Sequence, residues 1–286
     1  MKNIFAFDLD GTLLGKDNKV KESVKEALKM IDEKGDYSVI NTGRHYLTTK
    51  SVSNDSGIKY SINLNGSAIY DFNKGSYLDI TKFENEEDIF DVLKYCEINN
   101  HSLYIYSANH IIFWALGHRS GSINAFFNVH LNNNQYIYIN SKTAEEVMEF
   151  MKKNNYSFTK FIINSDDVTE YGEHEFFNDC FDALSDVGKV YIGSEGQSQI
   201  EVSIKDSSKL KGLYNFIDLM NINDDIRKIS FGDSYNDIEM FEGTDYSYVM
   251  NTAPKDVIDK ASNITDSNEN DGILKGVKHF YDNYNI

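Results

Sequence analysis

Asp8 and Asp10 stand one residue apart in the run Asp8-Leu9-Asp10-Gly11-Thr12, directly behind the apolar stretch Ile4-Phe5-Ala6-Phe7. A strand shows alternate side chains on one face, so both carboxyls leave its carboxyl end pointing in a similar direction. Carboxylates this close repel, and the pair persists only where a cation or a shared proton compensates. Hard oxygen ligands around a small divalent ion suggest magnesium. Gly11 lets the chain turn tightly and brings backbone N–H groups towards an anion. A calcium loop does not fit. Its sixth and twelfth positions, which need Gly and Glu, hold Leu13 and Lys19 counted from Asp8, and Ile238 and Thr244 counted from Asp233. A plain surface turn is the other reading of Asp and Gly side by side.

Further polar groups gather where other strands end. Thr42-Gly43-Arg44 follows the strand-like Ser38-Val39-Ile40-Asn41 and offers a hydroxyl, a backbone N–H and a cation to phosphate oxygens, or a helix N-cap. Gly232-Asp233-Ser234-Tyr235-Asn236-Asp237 follows Ile229-Ser230-Phe231. Asp233 and Asp237 are four apart and can share a face as a helix begins. Lys209 opens the preceding helical stripe and could neutralise a carboxylate cluster; alone it would be a solvated lysine.

These groups need a scaffold that brings strand ends together. Val20, Val24, Leu28 and Ile31 fall on one helix face, which Gly35 stops. Strand, helix and strand at this spacing form a βαβ unit with parallel strands and a right-handed crossover. Lys59 to Leu64 reads as a third strand. The pattern returns with the helical stripe Leu210, Leu213, Phe216, Ile217 and Met220, and with strand-like Tyr246 to Met250. Open α/β sheets bind ligands in the crevice at their carboxyl ends. The middle of the chain is different, with helices around Ile89 to Cys96, Val147 to Met151 and Phe176 to Leu184 among short strands. The sequence therefore predicts a Rossmann-like parallel-sheet core, 1–82 and 195–286, carrying an inserted α+β domain, 83–194. The expected connections lie near Thr81-Lys82 and Ser194-Gly196. Asn132-Asn133-Asn134 reads as a loop.

Composition narrows the partners. The 286 residues carry 28 basic and 45 acidic side chains, a formal charge of −17. Such a surface repels nucleic acid and acidic lipid, and it repels phosphorylated small molecules too unless local bases or a cation reverse the field at the site. The apolar run Ile111 to Leu116 is far too short to span a membrane, and Met1 to Asp10 reads as a first strand rather than a secretory signal. Cys96 and Cys180 form neither a disulfide framework nor a zinc motif, so the expectation is a cytoplasmic protein with two reduced thiols.

The four motifs together resemble the haloacid dehalogenase-like superfamily, and within it the Cof-type phosphatases with a type-IIB α+β cap. The resemblance covers essentially the whole chain: 8–12, then Thr42-Gly43-Arg44, Lys209 and 232–237, in order. Asn65-Gly66, Met250-Asn251 and the run Asn268 to Gly272 are weaker shared features. Leu210 stands where the family commonly has Gly, and Thr252 where Met-Asn-Ala is usual. The resemblance implies a magnesium-dependent phosphomonoester hydrolase of small phosphorylated metabolites, either sugar phosphates or phosphorylated cofactors. Asp8 would become an aspartyl phosphate, with Asp10 as acid and base. The metal would be held by Asp8, the Asp10 carbonyl and Asp233, with Asp237 as ligand or holding waters. Thr42, Gly43, Lys209 and Asn236 would hold phosphate oxygens. A phosphomannomutase-like phosphotransferase and a regulatory binding module are the alternatives. Relatives that split carbon–halogen bonds or pump ions generally lack an aspartate at the position of Asp10. In the insertion, Trp114, His118 and Arg119 beside Gly117 and Gly121 are candidates for substrate contact, or else a packed aromatic and a solvated loop. His45 reads as structural.

Overall fold

The structure is a computed structural model that describes residues 2–116, 135–140, 143–165, 173–194, 199–222 and 225–284. In chain order the elements begin with β1 (Lys2–Phe7), α1 (Glu22–Glu33), β2 (Tyr37–Asn41), α2 (Tyr46–Ser56), β3 (Tyr60–Asn63), β4 (Ala68–Asp71) and β5 (Ser76–Ile80). Then come α3 (Glu86–Ile98), β6 (Ser102–Tyr106), β7 (Ile111–Trp114), β8 (Tyr136–Ile139), α4 (Ala144–Lys153), β9 (Lys160–Asn164), α5 (Glu173–Leu184), β10 (Lys189–Ser194) and β11 (Gln199–Ser203). The chain closes with α6 (Lys209–Leu219), β12 (Ile226–Gly232), α7 (Ile238–Gly243), β13 (Tyr246–Met250), β14 (Asn263–Thr265) and α8 (Gly272–Tyr284).

Two compact units result: Met1–Asp79 with Ser208–Ile286, and Ile80–Ser207. The expected return at 194/195 lies instead at 207/208, because β11 pairs antiparallel with both β9 and β10 and so belongs to the inserted unit.

The first unit is an eight-stranded sheet in the order β14-β13-β12-β1-β2-β3-β4-β5. Strands β14 to β3 run parallel, and β4 turns back antiparallel on β3. The continuous apolar run of β1 fits its place at the centre, since both of its faces are covered. Phe5 and Phe7 pack on one side with Leu28 and Ile31 of α1 and Phe280 of α8. Ile4 and Ala6 pack on the other with Leu213 and Phe216 of α6. The chain moves outward from β1 in one direction through β2 and β3, and in the other through β12 to β14. The sheet thus switches direction beside β1, where a crevice opens at the carboxyl ends of the strands.

The inserted unit is a six-stranded sheet in the order β10-β11-β9-β6-β7-β8, antiparallel except for the β7–β8 pair. Leu103, Trp114, Phe161 and Val202 of the strands form one core with Val92 of α3, Val147 of α4 and Cys180 of α5. Trp114 is fully buried there, so it is a packed aromatic. His118, Arg119, Gly117, Gly121 and Asn132 to Asn134 lie outside the described residues, as does Gly196. No helix among the described residues is long and apolar enough to cross a membrane.

Candidate active site

Every polar segment singled out in the first unit sits on the carboxyl edge of the parallel sheet: Asp8 follows β1, Thr42 follows β2, Asn65 follows β3 and Asp233 follows β12. Behind Asp8 the chain makes a wide turn, Leu9–Leu13, that Gly11 permits at φ +80. A Cβ on Gly11 would overlap the Asp233 carboxylate, so the missing side chain is what lets β12's aspartate approach the β1 loop. Thr12 donates to Asp233 Oδ1 at 2.9 Å and fixes that approach.

Lys209 is the hub. Its fully buried ammonium donates to Asp8 Oδ1 and to Asp237 Oδ1, each at 2.6 Å. Burial alone would lower its pKa, but Asp237 and Asp8 outweigh burial and raise it, so it stays charged. Its placement depends on close backbone packing. Gly66 (φ +98) and Gly212 leave no room for a Cβ between the loop after β3 and α6, Ser208 caps the helix through Lys211 N–H at 3.2 Å, and Asn41 Nδ2 donates to the Lys209 carbonyl at 2.8 Å. Leu210, the departure from the family pattern, occupies the space beside Gly243 where a Cβ would collide with it. The change is therefore absorbed in packing.

Asp8, Asp233 and Asp237 bring carboxylate oxygens within 4.8 Å of one another, a set that could hold a metal ion. Asp237 Oδ2 also accepts from the Asp233 and Ser234 backbone N–H groups at 3.0 Å. The Asp10 carboxylate stands outside this set and is gripped by Arg44, whose Nε donates to Oδ2 at 2.7 Å and whose Nη2 donates to Oδ1. Across the crevice, Asn236 Nδ2 donates to Asn65 Oδ1 at 3.1 Å. Thr42 Oγ1 accepts from Arg44 N–H at 3.1 Å, and Gly43 lies where a Cβ would press on Asn65. Thus Thr42, Gly43, Asn65 and Asn236 line one wall.

The donor set suits a divalent cation. Among the described residues, Asp8, Asp10 and Asp237 pair with two cations, Lys209 and Arg44, and Asp233 stands beside them. Burial raises the Asp8 pKa well above its usual value; Lys209 opposes this, while Asp237, Asp233 and Asp10 add to it. Asp233 is pushed up to about 7, by burial first and then by the charge of Asp237. Burial and mutual repulsion thus oppose the charged forms of Asp8 and Asp233, and a positive ion among them would favour those forms.

Residues 5–277 match the haloacid dehalogenase-like hydrolase family. The chain belongs to that family. As a haloacid dehalogenase-like hydrolase it is an enzyme with many relatives along its full length. The 5-amino-6-(5-phospho-D-ribitylamino)uracil phosphatase of Bacillus subtilis is 24% identical over 279 residues, spanning 97% of this chain and 95% of that protein. Among solved structures, a haloacid dehalogenase-like hydrolase from B. subtilis superposes with a TM-score of 0.78 at 22% identity, covering 98% of this chain and 99% of that one. A subclass IIB sugar phosphatase gives 0.76 at 21%, covering 98% and 99%. The α/β fold with its inserted α+β unit is the one these hydrolases share.

The hydrolase site also contains groups that sequence reasoning passed over as actors. Arg44 was noted as a cation for phosphate, yet its partner is Asp10. Thr12 orients Asp233, and nothing short of the fold would pair residues so far apart. His45 is buried and accepts from Leu47 N–H at 3.3 Å, capping α2, the structural role expected of it.

Proposed function

We propose that this hydrolase is a magnesium-dependent phosphatase of small phosphorylated metabolites, working through a phospho-aspartate on Asp8. The observation that carries the reading is the cluster of Asp8, Asp233 and Asp237 around buried Lys209, with a fourth aspartate two residues beyond the first. Asp8 and Asp233 would hold the ion with the Asp10 carbonyl, and Asp237, already bonded to two backbone N–H groups and Lys209, would take a ligand or water-holding place. Bound there, magnesium would neutralise charge on the transferring phosphoryl group.

The chain's own groups do the rest. Lys209 fixes Asp8 Oδ1 and leaves the other oxygen to attack phosphorus. As that O–P bond forms, the bond to the leaving oxygen breaks, and Asp10 gives that oxygen its proton. Asp10 then takes a proton from water, which attacks the aspartyl phosphate, releases inorganic phosphate and restores the Asp8 carboxylate. Thr42, Gly43, Lys209 and Asn236 hold the phosphate oxygens. Because Asp10 is clamped by Arg44, release of that clamp belongs to the reaction sequence.

The similarity to a ribitylaminouracil phosphate phosphatase and to a sugar phosphatase supports substrates that are phosphate esters of small polar metabolites. The inserted unit would act as the cap that chooses among them. Free Cys96 and Cys180 suit a reducing, cytoplasmic setting. The test is a phosphate-release screen over sugar phosphates, nucleotides, pyridoxal phosphate and flavin mononucleotide, with magnesium and without added acceptor. Release from at least one ester, lost in Asp8→Asn, is expected. Turnover only in the presence of a sugar bisphosphate would replace the hydrolase reading with a phosphotransferase.

A further inference from the structure

Directly behind β3 the backbone adopts an unfavourable course. Leu64, Asn65 and Gly66 take positive φ in succession, at 54, 53 and 98. Glycine does this freely and asparagine at small cost, whereas leucine gains nothing locally from it. Such a conformation persists only where the surroundings impose it, and it gathers at functional sites. Here the imposing partner is the loop after β2. Leu64 N–H donates to the Arg44 carbonyl at 3.2 Å, and Asn65 N–H donates to the Thr42 carbonyl at 3.1 Å. Asn63 Nδ2 adds a bond to the Arg44 carbonyl at 3.1 Å, and Ser67 Oγ closes the bend from within by donating to the Leu64 carbonyl at 3.0 Å.

What the bend delivers is the Asn65 side chain. It is buried, and its Oδ1 lies 3.0 Å from where a Cβ on Gly43 would stand. The same oxygen accepts from Asn236 Nδ2, which belongs to the loop after β12. Asn65 therefore meets Thr42, Gly43 and Asn236, three residues from two other strand ends. A carboxamide has two sides of nearly equal shape, one accepting and one donating, and its nitrogen carries two N–H groups. By accepting from Asn236, Asn65 fixes which way the Asn236 amide is turned: the NH2 faces the wall that holds Gly43. One N–H is engaged by Asn65, and the direction of the other follows from the geometry of the amide.

We propose that Asn65 is a positioning residue that sets the Asn236 amide for a phosphate oxygen, acting through Asn236 and touching no reacting atom itself. The proposal rests on the phosphatase reading and deepens it by naming the group that orients one of its phosphate donors. A phosphate oxygen held by Asn236 is held before and during the bond-making step alike. Loss of the orientation should then weaken binding and leave the chemical step nearly untouched.

The experiment compares wild type with N65G, N236A, N65G/N236A and the control N221G. Glycine at 65 keeps the positive φ and removes only the amide, so circular dichroism and urea unfolding should match wild type. Asn221 is exposed, at φ 50 beyond the far end of α6 from Lys209, and offers the same exchange away from the site. Calorimetry with inorganic phosphate at fixed magnesium gives the dissociation constant, and a sugar monophosphate gives KM and kcat. N65G should raise both the phosphate dissociation constant and KM about tenfold, the worth of one hydrogen bond to an anion, with kcat within about threefold. N236A should do the same, and the double variant should be no worse than N236A by more than about twofold, because the two residues act as one unit. N221G should match wild type. Unchanged phosphate affinity in N65G, losses that multiply to about a hundredfold in the double variant, or an equal loss in N221G overturns the proposal. So does a fall in N65G that affects kcat, affinity and urea stability together, since that marks a merely structural role. Should wild type hydrolyse no ester yet bind phosphate with these coupled losses, the phosphatase reading fails and the role of Asn65 stands. Should wild type bind no phosphate, the proposal is overturned.

Discussion

Asp8 is buried and ringed by other aspartates, yet as the proposed nucleophile it would have to be ionised to attack phosphorus. Lys209 and the ion proposed beside it reconcile these demands. Asp8→Asn should therefore lower phosphate release at least about 10³-fold, since an isosteric amide is a far poorer nucleophile. Intact-mass measurement should show a phosphorylated species in wild type trapped with substrate and none in the variant. Gly11 carries a second expectation. Alanine there meets both the positive φ and the Asp233 carboxylate; the φ strain alone is about 1–2 kcal/mol. Displacement of Asp233 should then weaken metal binding about tenfold or more by calorimetry, with circular dichroism unchanged. Asp8, Asp10 and Asp233 were legible because aspartates behind short apolar runs stand out. The Arg44 clamp on Asp10 was not, because nothing in Thr42-Gly43-Arg44 says whether its cation meets a phosphate or a carboxylate.

The parallel strands β1, β2, β3, β12 and β13 and the helix α1 were readable from their apolar patterns, whereas β14 and α2 were not. The sequence of α2, Tyr46 to Ser56, is mostly polar, and beside Tyr46, Leu47 and Val52 it buries the hydroxyl residues Thr49 and Ser53. Thr48 and Thr49 donate back to the His45 carbonyl at 2.9 and 3.1 Å, and Ser53 donates to the Ile58 carbonyl at 2.6 Å. Polar burial satisfied by local hydrogen bonds leaves no apolar stripe to detect. The strand β4 was missed because its pairing partner is β3, and Ala68–Asp71 is too short to show a period. The approach of α6 to the loop after β3 makes a sharp test. Gly66→Ala places a methyl against the Ser208 carbonyl at φ +98 and should cost at least about 2 kcal/mol in urea unfolding. It should also raise KM, since Lys209 is the next residue. Gly57, the αL residue closing α2, has nothing within 4 Å of an added Cβ. Gly57→Ala should cost about 1 kcal/mol and leave KM alone.

For the protein as one enzyme, the metal and the inserted unit give the remaining tests. Chelation should abolish phosphate release and magnesium should restore it. Calcium should bind yet support little turnover, because its larger and looser shell misplaces nucleophile and phosphorus. Full activity in a preparation shown by elemental analysis to be metal-free would remove magnesium from the reading. Exchanging residues 80–207 for the matching segment of a relative should change the ranking of substrates by kcat/KM while leaving 4-nitrophenyl phosphate hydrolysis within a few-fold. An unchanged ranking would assign the unit some other task. The order of synthesis follows from the position of β1. Its two neighbours are β2, which follows it closely, and β12, whose Ile226 pairs with Lys2. Asp8 and Lys209 are separated by 201 positions. During translation β1 therefore waits with one edge open and Phe5 and Phe7 only half covered, while the continuous unit Ile80–Ser207 can already fold behind it. An open apolar edge in a nascent chain invites wrong pairing until its partner arrives. Asp8 and Asp10 are among the first residues made, and the complete aspartate cluster is among the last things the chain acquires.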